Sequence, residues 1–201
     1  MSLRISGGRR LQSPKGDVAR PTSSRVRLAV MNLLADRIRG SRWLDLCCGS
    51  GAMACEALQR GAALVVAIER DPRVAAVARA NLEQVASGLE ASAFAASGSE
   101  QRPGVRVHRS EASAWLKAGP SAHGLEPFDL IYLDPPWPAG LHAPLSQAVA
   151  AGGWLRGDGL LLWECPSEEA PMIPEGWRAR EPRRYGGTTL VLLEPADQAP
   201  G

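Results

Sequence analysis

Residues 134–137 read Asp134-Pro135-Pro136-Trp137 and follow directly on the apolar run Phe128-Asp129-Leu130-Ile131-Tyr132-Leu133. Two successive prolines remove two backbone N–H donors and hold the chain extended. What remains is a carboxylate, carbonyl oxygens and one large aromatic face. That set suits gripping an amino group on a flat ring: the carboxylate and a carbonyl accept its two hydrogens, and Trp137 stacks on the ring. A Pro-Pro pair is ordinary in a chain with 16 prolines. The tetrapeptide gains meaning from its place, the C-terminal end of a strand, where ligands collect in open α/β sheets. The competing reading makes Trp137 a plain core residue.

A second candidate is Asp45-Leu46-Cys47-Cys48-Gly49-Ser50-Gly51-Ala52, which follows the apolar strand Trp43–Cys47 and opens a helix. Its glycines let backbone approach a ligand closely. Glu69 closes the next strand, 18 residues after Gly51, where an acid accepts hydrogen bonds from ribose hydroxyls. Two cofactors fit. A dinucleotide needs a pyrophosphate cradle, usually with a third glycine, and Ala54 stands in that place. S-adenosylmethionine carries ribose and adenine without phosphate, and Asp45 suits the ammonium of its methionine end. The loop alone does not choose between NAD and S-adenosylmethionine. Asp134-Pro-Pro-Trp137 does, because a dehydrogenase has no evident use for it and an amino methyltransferase has.

These residues need a sheet to position them. Apolar strands are expected at 43–47, 63–69, 105–108, 128–133, 159–164 and 190–194. Helices are expected from about Ser24 to Arg39, from Gly51 to Arg60, after Asp71 with Pro72 in the first turn, and from Glu111 to Ala118. Residues 87–104, rich in Ser, Ala and Gly, read as a surface loop. Near-continuous apolar strands alternating with helices mean an α/β sheet covered on both faces. Val26, Val30, Leu33, Leu34 and Ile38 form the stripe of the first helix. Arg27 falls inside that stripe, as a snorkelling side chain or as a cation aimed into a polar site.

Charge is uneven. The chain carries a net +2, but residues 1–42 hold ten Arg/Lys against two acids, leaving the remainder at −6. A basic arm on an acidic domain is the footprint of a polyanion partner, usually nucleic acid, although charge alone leaves a solvated tail equally open. No apolar stretch approaches the roughly 20 residues of a membrane span, and MSLRISGGRR has no secretory h-region. Cys47, Cys48, Cys55 and Cys165 show no CxxC pair and no metal spacing. They read as reduced, mostly buried residues of a cytoplasmic protein, with no metal expected.

At this point the chain resembles the RsmD family, bacterial methyltransferases acting on N2 of a guanine in small-subunit ribosomal RNA. Arg4-Ile-Ser-Gly-Gly8 is similar to the family's opening, and Arg20-Pro-Thr22 with Arg25-Val-Arg27 to its RPT…RVR element. Leu44 to Gly51 is similar to its LDLFAGSG loop, with Cys47-Cys48 in place of Phe-Ala. Glu69 matches its ribose acid, Asp134-Pro-Pro-Trp137 its DPPF or DPPY, and Tyr185-Gly186 the Tyr-Gly before the last strand. Glu111 stands where Asn or Asp is usual.

The resemblance implies a Rossmann-like class I methyltransferase with a mostly parallel seven-stranded sheet. A basic arm and helix over residues 1–40 would bind RNA, and residues 41–201 would form the catalytic domain. S-adenosylmethionine would contact Asp45, Cys47, Gly49, Ser50, Gly51, Glu69, Arg70, Glu111, Ala112 and Asp134, leaving S-adenosylhomocysteine as product. Asp134, Pro135, Pro136 and Trp137 would be catalytic. Arg4, Arg9, Arg10, Arg20, Arg25 and Arg27 would hold RNA, with a second patch at Arg178, Arg183 and Arg184. The partner would be small-subunit rRNA or an assembling 30S particle, met by a monomer. Three rivals remain: a methyltransferase for DNA adenine or a protein amide, an NAD-dependent oxidoreductase, and a silent RNA-binding module.

Overall fold

A computed structural model of the protein describes residues 3–14, 22–97, 102–168 and 171–196. Five strands run parallel: β1 (Arg42–Leu46), β2 (Leu64–Glu69), β3 (Gly104–Arg109), β4 (Phe128–Leu133) and β5 (Leu155–Pro166). β6 (Trp177–Ala179), β7 (Arg183–Tyr185) and β8 (Thr188–Pro195) complete the sheet on its antiparallel side. The order is β3-β2-β1-β4-β5-β8-β6, with β7 also on β8. The sheet is therefore mostly parallel with eight strands, not the seven expected. β6 and β7 are three residues each, largely exposed, and gain order only by pairing with β8; no apolar run betrays them.

Among the described residues six helices cover the sheet: α1 (Ser24–Leu33), α2 (Ala35–Ile38), α3 (Ala52–Gln59), α4 (Pro72–Ser97), α5 (Ala112–Leu116) and α6 (His142–Ala151). One core holds Val26, Val30, Met53, Leu82, Trp43 and Tyr132, and the other holds Trp115, Leu145, Trp154 and Trp163. Burial on both faces explains why β1 and β4 read as near-continuous apolar runs. The order reverses between β1 and β4, and the crevice at this switch point is where α/β sheets take ligands.

Two helix expectations change. The single helix over 24–39 breaks at Leu34 (φ −106°, ψ 13°). The expected loop at 87–104 is instead helix as far as Ser97, and residues 98–101 lie outside the described ones. Alanine is the best helix former, so an Ala-rich run continues a helix already anchored by Leu82 and Val85. Gly88, costing about 1 kcal/mol in a helix, lies against the Arg9 guanidinium, the far end of a flexible side chain.

The arm is not loose. Residues 3–11 turn back through Gly7-Gly8, and Ile5 and Leu11 are buried in the α1–α4 core. The buried Asn81 of α4 accepts from the Gln12 N–H (2.7 Å) and donates to the carbonyls of Gln12 and Ser50. The arm is thereby tied to the loop after β1. Arg27 departs from the snorkelling reading and is aimed into a buried polar site. It is 3 % exposed, 3.5 Å from Glu56, and donates to the carbonyls of Thr22 (2.6 Å) and Arg4 (2.5 Å). Its charge is satisfied inside the protein, so it is a strut of the arm and presents nothing to RNA.

Candidate active site

Strand alternation places side chains two apart on one face. Glu69 ends β2, Asp45 lies in β1 opposite Tyr132, Asp134 follows β4, and Glu164 lies near the end of β5. All four acids line one cavity of about 560 Å³, walled by the loop after β1, the Asp134–Trp137 segment and the start of α1.

The loop after β1 forms the cofactor half. Cys47 takes a left-handed φ of +64°, as Gly49 (+55°) and Gly51 (+75°) do; for a non-glycine residue that conformation costs roughly 1–2 kcal/mol. Gly49 and Ser50 line the cavity. Gly51 does not: it faces α4, where a Cβ would meet the Ala78 Cβ at 3.2 Å. That side of it serves loop packing. Glu69 braces the loop. It accepts the Gly49 N–H at 3.0 Å and the Asp71 N–H at 2.8 Å while keeping a face on the cavity.

Asp45 is 1 % exposed, and neither carboxylate oxygen has a hydrogen-bond partner among the described residues. The Ala54 backbone N–H eases its ionisation, though burial outweighs it. Burial, reinforced by Asp134, holds its carboxyl well above the ordinary range. A buried acid without a donor is costly and makes sense opposite a cationic ligand group. Burial and the same acids push the Cys47 thiol up to about 12, so it stays protonated. Of the four cysteines only Cys47 is less than fully buried, and all four are free. Arg70, Glu111 and Ala112 line the far end. Glu111 caps α5, accepting the Ala114 N–H at 2.9 Å and the Ser113 hydroxyl. Those bonds hold its carboxyl below the usual range.

The other half is the tetrapeptide. Asp134, Pro135, Pro136 and Trp137 all line the cavity; Pro135 is buried, Trp137 half-buried and starting a short 3-10 turn. Thr22, just before α1, donates to Asp134 at 3.3 Å. Behind them, the Tyr132 phenol donates to Glu164, and His142 bonds the Glu164 carbonyl at 2.9 Å. Burial, with Asp134 and Glu164 nearby, pushes the Tyr132 phenol well above its ordinary range. Thr22, Tyr132 and Glu164 escape the sequence reading. Tyr132 and Glu164 look like ordinary strand residues, and Thr22 meets Asp134 across 112 positions of chain.

Of the arginines expected on RNA, Arg4, Arg10 and Arg25 are exposed and Arg9 is half-buried on α4, donating to the Gln84 carbonyl at 3.2 Å. Arg20 lies outside the described residues. Arg178 is paired with Glu194 at 3.0 Å, whereas Arg183 and Arg184 are exposed. Among the described residues no helix is long and apolar enough to cross a membrane.

Residues 3–194 match a family described as "Conserved hypothetical protein 95". The chain is similar to "Ribosomal RNA small subunit methyltransferase D" of Escherichia coli K12, 32% identical over 96% of this chain and 89% of that protein. It is also similar to the solved structure of yhhF from Escherichia coli, with TM-score 0.73, 30% identity, and 98% and 100% of the two chains covered. A third likeness is a hypothetical protein from Thermus thermophilus, TTHA0928, with TM-score 0.69, 29% identity, and 92% of each chain covered.

Proposed function

The chain belongs to the RsmD family, described as Conserved hypothetical protein 95, and from that premise we propose that it methylates the N2 amine of a guanine in small-subunit rRNA with S-adenosylmethionine as donor. One observation carries the reading: the buried Asp45, the ribose-side Glu69 and the amine-gripping Asp134 segment share one cavity.

The residues fit the donor. Asp45 would hold its ammonium, Glu69 its ribose, and Arg70, Glu111 and Ala112 its base end. Bound there, S-adenosylmethionine supplies an electrophilic methyl group.

The rest falls to the chain's own residues. The guanine amine is a poor nucleophile because its lone pair is delocalised into the ring. Asp134 and the Pro135 carbonyl accept its two hydrogens, which localises that pair and aims it. The gain is orientation and electrostatics. The amine loses its proton after attack, so Asp134 need not be a strong base. The base must leave its stack, at a few kcal/mol, and Trp137 stacking of about 1–3 kcal/mol offsets much of this. Arg4, Arg9, Arg10 and Arg25 hold phosphates, which position the RNA without reading its sequence; Arg20 would join them. The substrate is rRNA alone or in an assembling 30S particle, met in the cytoplasm by a monomer.

The test is to incubate the protein with S-adenosylmethionine and small-subunit rRNA, free and in particles, and to identify modified nucleosides by mass spectrometry. N2-methylguanosine is expected. Methylation of adenine or protein alone contradicts the reading, as does tighter binding of NAD than of S-adenosylhomocysteine.

A further inference from the structure

The acids across the sheet form a sequence of positions. Glu69 stands on β2, Asp45 on β1, Asp134 after β4 and Glu164 on β5, all bordering one cavity. The first two face the cofactor and the third takes the amine. The fourth lies beyond the amine, where the remainder of the base must sit. The parallel register pairs Leu133 with Trp163, so Asp134 and Glu164 are the next pair at the strand ends. Adjacent strands lie about 4.8 Å apart, so the two side chains stand as neighbours and can converge on one ring edge. Glu164 is 4 % exposed yet borders the cavity. The Tyr132 phenol holds its carboxylate, and His142 bonds its backbone carbonyl.

Resting on the function proposed above, we propose that Glu164, held by Tyr132, reads the base beside the amine by accepting the ring N1–H of guanine. A carboxylate offers about four acceptor positions, so the phenol leaves room for a ring donor. Guanine presents two adjacent donors on this edge, N1–H and N2–H. Two side-by-side carboxylates match that pattern and repel a base whose N1 carries a lone pair. Buried polar groups left facing a lone pair discriminate strongly, because neither side finds a substitute partner. Glu164 therefore selects guanine, while Asp134 activates it.

The experiment uses an rRNA fragment that the wild-type protein methylates, made with guanine or with 2-aminopurine at the accepting position. 2-Aminopurine keeps the amine but has a bare ring nitrogen at N1. Wild type should prefer guanine by about a hundredfold in kcat/KM. Glu164→Gln, whose amide can donate to that nitrogen, should bring the two within about threefold, with S-adenosylhomocysteine affinity unchanged. Equal losses on both substrates would reduce Glu164 to a structural residue and overturn the inference. If Glu164→Gln fails to bind S-adenosylhomocysteine, Tyr132→Phe decides: freeing Glu164 should lower guanine turnover and spare 2-aminopurine, and an unchanged ratio would contradict the role. A wild-type protein that transfers no methyl to guanine N2 defeats the functional reading itself, separately from any effect at Glu164.

Discussion

The Thr22 hydroxyl donates to the Asp134 carboxylate at 3.3 Å, and the Thr22 carbonyl accepts from Arg27 at 2.6 Å. The segment leading from the basic arm thus reaches the proposed amine acceptor through one hydroxyl. Thr22→Val keeps the shape and removes the donor. Its kcat should fall roughly tenfold, the scale of one hydrogen bond to a charged group, with S-adenosylhomocysteine affinity unchanged by calorimetry. Wild-type turnover would make the contact incidental.

Arg27 and Glu56 are both buried, and Glu56 also accepts the Ser6 N–H at 3.2 Å. Removing one partner strands the other charge. Arg27→Ala should cost about 3–5 kcal/mol in urea unfolding, and Arg27→Lys should recover little because an ammonium lacks the forked donors. The pair Arg27→Met with Glu56→Gln should be more stable than Arg27→Ala.

Asp45 gives a pH dependence of definite sign. Its carboxyl is raised in the folded protein above the ordinary 3.8, so the folded state binds the proton more tightly than the unfolded state. The ligand-free protein then loses stability as pH rises from about 4 through the raised value. Asp45→Asn removes that loss and should raise the melting temperature at pH 7 while weakening S-adenosylhomocysteine. Binding to wild type should release protons as the ligand ammonium restores the carboxylate, read as a buffer-dependent heat. A lower melting temperature in Asp45→Asn would contradict this.

Charge reversal at Arg9 and Arg10 should weaken RNA binding and flatten its salt dependence by about 0.7–0.9 per lost phosphate contact. An unchanged slope in filter binding would leave the arm a structural hairpin.

The parallel strands β1, β2, β4 and β5 were legible because burial on both faces writes near-continuous apolar runs, and Glu69 and Asp134 stand where two of those runs stop. β6 and β7 were not, since three residues paired to one neighbour are too few to show a periodicity. The continuation of α4 was hidden because Ala, Ser and Gly suit loops and helices alike, and its anchor is Leu82 and Val85 upstream. Arg27 was misread because helical angle gives the face a residue occupies but not the acid waiting there. Glu164 was invisible for the reverse reason: it ends an apolar strand, and only the cavity shows that its carboxylate borders a site.

In the proposed reaction Asp134 activates the amine. Asp134→Asn keeps the side chain's size but turns an acceptor-only group into one that also donates. Radiolabel transfer from S-adenosylmethionine to small-subunit rRNA, measured beside S-adenosylhomocysteine affinity, tests it. Transfer should fall at least about a hundredfold, on the scale of losing an electrostatic group in a reacting site, while affinity stays within a few-fold. Undiminished transfer by the variant would remove Asp134 from the chemistry.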